Sequence, residues 1–199
     1  MKISDTQPKE EQRTAVAFKE WVVITDLLGC GEQILILRKG GIHEKGGGFQ
    51  VEHRGFFLYP TLFHQQRESV IPKAQARYDE ILPRFSDTGS VPIQYWIEVA
   101  DTCWVMDWSK IEKLAPYHAW TQEVIRARFG WGKDEGLFVI VARVYRLSAP
   151  KAIPVLKEYA GCKSWIELDE NTVPALEKKT PVLNDGAFET KLREIQKCL

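Results

Sequence analysis

The sequence predicts an α+β fold: a mixed, mainly antiparallel sheet with flanking helices and an amphipathic C-terminal helix. Three observations carry that expectation. Apolar runs of strand length recur at residues 33–39, 93–99 and 137–147. Stripes with helical spacing lie between and after them, and Gly, Pro, Asp and Ser separate the segments. The 199 residues are enough to bury a real core. Residues 13–199 are read as one domain with an internal seam near residues 86–91, where Ser86-Asp87-Thr88-Gly89-Ser90 interrupts the pattern, and residues 1–12 as a polar, flexible tail.

In chain order, Ala15, Phe18, Trp21, Val22, Thr25 and Leu28 form one helical stripe, so residues 14–28 are read as a helix despite the strand-favouring Val22-Val23-Ile24-Thr25. Residues 33–39 are a strand, 40–48 a glycine-rich loop and 49–54 a second strand. Residues 56–59 extend that strand or form a third, with Pro60 ending the pairing. Residues 69–85 are helical, interrupted by Pro72 and Pro83. Residues 93–99 and 102–106 are expected to pair with each other, and 109–114 to form a short helix. Pro116 suits the first turn of a further helix through Phe129. The nearly continuous apolar run at 137–147 fits a central strand. A helix near 153–159 and a strand near 164–168 follow. The last helix, from about Ala187, places Phe188, Leu192, Ile195 and Leu199 on one face.

Lys plus Arg total 27 and Asp plus Glu total 27, so no global field draws the chain to DNA or an anionic membrane. Any nucleic-acid contact must come from a local patch. No apolar run approaches the roughly 20 residues that span a bilayer, and the polar start lacks a secretory signal. The four cysteines are widely spaced, against a zinc knuckle or a disulfide framework. A cytoplasmic protein with reduced thiols and no membrane partner is expected.

Chemistry concentrates in residues 37–66, which hold His43, His53, His64, Glu44, Glu52 and two glycine clusters. Three readings of it compete. The loop from Gly40 and Gly41, with Arg38 and Lys39 beside it, could offer N–H groups and charge to a phosphate, although no P-loop ending is present. A divergent nuclease would use Glu20, Glu44 and Glu52 to hold a divalent cation such as Mg2+, with His53 or His64 moving protons. Arg54 stands where such an enzyme would carry a lysine, and arginine does not accept protons. The plain alternative is a solvated charged hairpin in which Glu52 pairs with Arg54. Further along, His118, Gln122 and Arg126 fall four residues apart on one expected helix face, a line that could meet an anion. Arg126, Arg128, Lys133, Arg143 and Arg146 form a basic patch only if the fold gathers them. Trp120 and Trp131 are the tryptophans to watch for stacking.

Several blocks together resemble the bacterial and cyanobacterial family known as domain of unknown function 1802. They are Phe18-Lys19-Glu20-Trp21, Leu37-Arg38-Lys39-Gly40-Gly41-Ile42 with Glu44, Glu52-His53, Pro60-Thr61, His64-Gln65, His118-Ala119-Trp120, Arg143-Val144-Tyr145-Arg146-Leu147 and Gly161-Cys162-Lys163-Ser164-Trp165. The resemblance covers about residues 15–170 and implies no established activity. It implies a nucleic-acid context only by neighbourhood, since some relatives occur beside restriction-type nuclease domains. The leading expectation is therefore a nucleic-acid-associated protein of a restriction-like or DNA-maintenance system. The alternatives are a binder or enzyme for a small phosphorylated ligand, and a silent interaction module that docks a partner through its C-terminal helix.

Overall fold

The computed structural model describes residues 15–39, 53–62, 67–85, 89–161, 163–169 and 172–199. These form strands β1 (Val16–Trp21), β2 (Leu35–Arg38), β3 (Gly55–Thr61), β4 (Ser90–Val105), β5 (Leu137–Pro154), β6 (Trp165–Glu167) and β7 (Lys179–Pro181). The helices are α1 (Val22–Gly29), α2 (Pro72–Ile81), α3 (Trp108–Lys113), α4 (Gln122–Phe129) and α5 (Asp185–Cys198). The expected α+β class is found.

The strands join in one sheet ordered β2-β5-β4-β3-β1-β6, with β7 beside the far half of β5. Every pairing among these strands is antiparallel except β1 with β3. Its axis is the long β4–β5 ribbon, with register shifts at Ile93/Tyr95 and Val99/Asp101. Such bulges increase local twist, and the sheet curls. Arg38, on the outer strand β2, consequently reaches the backbone of β1, four places away in the strand order. One face carries the main core with α1, α2, α4 and α5. A smaller cluster around Phe57, Tyr59, Ile93, Ile153 and Tyr159 covers the other.

Several expected elements change. Residues 16–29 are a strand followed directly by a helix, because both are buried and therefore apolar on nearly every side, which imitates one long stripe. Pro60 lies inside β3, in register with Glu20, rather than ending it. The two strands expected at 93–99 and 102–106 are one strand, β4, which ends at Val105 and pairs with β5; the apparent turn between them is a bulge. Pro116 sits in a short 3-10 turn, Ala115–Tyr117, and α4 starts later, where the Thr121 hydroxyl accepts from the Val124 N–H at 3.5 Å. Residues 137–154 are all strand, which leaves only a 3-10 turn at Lys157–Tyr159 where a helix was expected. Sequence reading missed β7. The seam at 86–91 is only partly described: β4 already begins at Ser90, and residues 86–88 lie outside the described residues.

Helix α5 takes its cap from the Asn184 side chain, which accepts from the Ala187 N–H at 2.9 Å. Its apolar face does not await a partner. Phe188 and Ile195 are buried in the main core, with Leu192 and Leu199 packed against it. No described helix is long and apolar enough to cross a membrane.

Candidate anion-binding site

The curl brings together three charged side chains that sequence alone leaves apart. Glu20 comes from β1, Arg38 from the end of β2 and Arg128 from the last turn of α4. Glu20 is fully buried, and its Oε1 accepts from the Trp21 N–H at 2.8 Å where α1 begins. Its Oε2 lies 3.2 Å from Arg38 Nη2, which also donates to the Lys19 carbonyl. The Arg38 guanidinium stacks 4.7 Å from the Phe18 ring centre, and a fifth of its side chain remains exposed.

Arg128 lies between two indoles, 5.1 Å from Trp21 and 4.8 Å from Trp120, and donates from Nη1 to the Leu37 carbonyl at 3.2 Å. Burial, then repulsion from Arg38, lowers its pKa to about 10, and Glu20 opposes the shift. Among the described residues, two guanidiniums thus stand near one carboxylate, which pairs with Arg38. A second anion would relieve that imbalance, because charges removed from water interact strongly.

Two lysines frame the cluster. Lys19 leaves the other face of β1 and donates to the Tyr159 and Gly161 carbonyls at 2.7 and 2.8 Å. Lys39 donates to the carbonyls of Phe129 (2.8 Å), Asp134 and Gly136 (3.2 Å), with its ammonium 5.3 Å from the Trp104 ring. The His53 ring is 5.2 Å from Trp165, which in turn is 4.8 Å from Phe18.

Of the residues singled out from sequence, the fold brings together Glu20 and Arg38, with Lys39 adjacent and His53 at the aromatic border. Gly40, Gly41, Glu44, Glu52 and His64 lie outside the described residues. The expected line of His118, Gln122 and Arg126 does not form, because His118 precedes α4 and is buried. Gln122 instead donates to Glu112 at 2.8 Å, and Arg126 stacks 4.3 Å from the Trp108 ring. The basic residues of the second half also disperse. Arg143 pairs with Asp185, and Arg146 donates to the Gly29 carbonyl. Arg128 is what sequence reading passed over, as one arginine among several. The available signal was Glu20, an acid between Phe18 and Trp21 in a strand otherwise built for burial.

His118 lines a separate cleft of about 310 Å³ between α1, α2 and residues 116–119. Burial, then the charge of Arg128, lowers its pKa to about 4, so the ring is neutral near pH 7.

Glu20 faces arginine, and the described residues contain no group of three or more His, Cys, Asp and Glu placed to hold a metal ion; Glu44 and Glu52, the other expected ligands of a divalent cation, lie outside them.

The family model "Domain of unknown function (DUF1802)" matches residues 17–194. The chain belongs to the DUF1802 family. No match is found among curated proteins. Among solved structures, this DUF1802 protein is similar to ASCH from Zymomonas mobilis, at 8% identity, 79% coverage of this chain, 89% of that one and a TM-score of 0.45. A serine-to-alanine variant of that protein gives 9% identity, 92% and 96% coverage and a TM-score of 0.44.

Proposed function

We propose that this DUF1802 protein binds nucleic acid, with the Glu20–Arg38–Arg128 cluster as its phosphate contact. The observation that supports this is the arrangement of charge: among the described residues, two arginines gather at the end of the curl, where one buried carboxylate pairs with Arg38 and Arg128 lies against two indoles. Guanidinium forks match phosphate oxygens, and the surrounding indoles keep the local dielectric low. The protein as a whole has no excess charge, so attraction is confined to this patch. The chemistry is recognition; no bond-breaking step is assigned.

The test is fluorescence anisotropy with labelled single- and double-stranded RNA and DNA across salt concentrations. Binding should weaken as salt rises, and Arg128→Gln should weaken it about tenfold with a salt slope lower by about one. Absence of binding at low salt, with the protein folded, would remove this function.

A further inference from the structure

We infer that the arginine cluster receives a terminal phosphate, a phosphate monoester, so that the nucleic acid is held by its phosphorylated end. This rests on the phosphate-binding function above and names the chemical class of the group bound. The cluster keeps buried polar atoms that find no hydrogen-bond partner among the described residues: Glu20 Oε2, Arg38 Nε and Trp120 Nε1. Buried polar atoms are rarely left so, because an unmatched one has lost its water without a replacement.

All three belong to side chains of one neighbourhood. Arg38 Nε is part of the guanidinium whose Nη2 lies 3.2 Å from Glu20 Oε2, a pairing by charge without an aligned hydrogen bond. Trp120 is 1% exposed, and its ring lies 4.8 Å from the Arg128 guanidinium, which Trp21 also meets at 5.1 Å.

Two donors and one acceptor select the ligand. An internal phosphodiester has two free oxygens and no hydrogen, so it would set one anion against Glu20 Oε2 with nothing between them. A monoester has three free oxygens and, with its second pKa at about 6, readily keeps a proton on one of them. That O–H donates to Glu20 Oε2. The remaining oxygens accept from Arg38 Nε, from Trp120 Nε1 and from the Arg128 N–H groups left after Nη1 serves the Leu37 carbonyl. Charge agrees: two guanidiniums and one carboxylate leave a single positive charge, which the singly protonated monoester cancels. Access agrees as well. Only a fifth of the Arg38 side chain is open and Arg128 is partly buried. A group tethered through one oxygen enters such a place more readily than the middle of a strand.

The test uses labelled strands of one sequence that carry either a phosphate or a hydroxyl at one end, each end in turn, with adenosine monophosphate as competitor. By anisotropy, one phosphorylated end should bind at least about tenfold more tightly than its hydroxyl counterpart. Trp120→Phe keeps a ring against Arg128 and removes the N–H; it should lose about tenfold on the phosphorylated strand and leave the hydroxyl-ended strand unchanged. Should that variant unfold, the native protein supplies the answer: an indole N–H resonance, assigned to Trp120 by selective labelling, should move on saturation with the phosphorylated strand. Equal affinity for phosphorylated and hydroxyl ends would overturn the inference while leaving the phosphate site in place, and so would an unmoved Trp120 resonance. Binding of adenosine monophosphate without binding of any strand would keep the monoester and remove the nucleic acid. Binding of neither would remove both.

Discussion

Glu20→Gln should destabilise this protein more than Arg38→Met, although the two side chains form one ion pair. An isolated pair would give the opposite expectation or none, since removing either partner strands the other. Here the native carboxylate stands against two guanidiniums, at 3.2 Å from Arg38 and close enough to Arg128 to raise its proton affinity. Arg38→Met leaves Glu20 facing Arg128, a charge-balanced arrangement, and loses the bond to the Lys19 carbonyl that helps hold the curl. Glu20→Gln leaves two like charges without the carboxylate that faces them. Breaking a buried pair costs about 3–5 kcal/mol, and Glu20→Gln belongs at the top of that range. Arg38→Met should cost about 2 kcal/mol, nearer the loss of one charged hydrogen bond and some packing. Against a domain stability of about 5–15 kcal/mol, both variants remain measurable by urea unfolding in the cold. Equal losses, or a greater loss for Arg38→Met, would show that Arg128 does not sense this carboxylate as the geometry requires.

Three further outcomes are expected. His118 has a pKa of about 4 against an ordinary 6.5, so the fold favours its neutral form. Its contribution is complete above pH 6.5 and fades as pH falls toward 4, on the order of 3 kcal/mol in all; His118→Gln should flatten the urea midpoint over that window, and an unchanged acid slope would refute the assignment. At Gly136 an added Cβ would lie 2.5 Å from Trp104 Cζ2 on a backbone with φ +144°, so Gly136→Ala should lower stability by about 1–3 kcal/mol and speed amide exchange in residues 130–135. Exchange no faster than in the native loop would contradict its fixing by Lys39. Arg128→Met should be as stable as the native protein or more so, while binding nucleic acid more weakly; a loss of several kcal/mol would make Arg128 structural.

The fold was legible where burial is one-sided. In α5, Phe188, Leu192 and Ile195 sit on a single stripe, and the structure buries that stripe. Legibility failed where burial is two-sided. In β1 every residue is buried, and in α1 all but Asp26, so no period separates strand from helix. It failed again where one residue type has two local uses. Pro116 opens a 3-10 turn as readily as an α-helix, and that choice moved His118 from a helix face into the interior. Arg38 and Lys39 stood out because charge collects around them, and both lie at the site. Arg128 did not, because its importance comes from the closure of β2 toward β1, and no local spacing records a contact between Leu37, Trp21 and residue 128.

That closure bears on what the arginines are for. Arg38 pairs with Glu20 at 3.2 Å and links the two strands without Arg128. Arg128 adds a second, partly buried cation, and replacing a buried charge with an apolar side chain of similar size is often neutral or stabilising. Two indoles and one carbonyl offset part of its cost, while burial and the charge of Arg38 act against it. A side chain held at such a cost beside another cation is better explained by an anion that arrives than by the contacts already made. Under the proposed function the three-residue cluster has a division of labour. Glu20 and Arg38 hold the curl, and Arg128 supplies the charge the fold does not need.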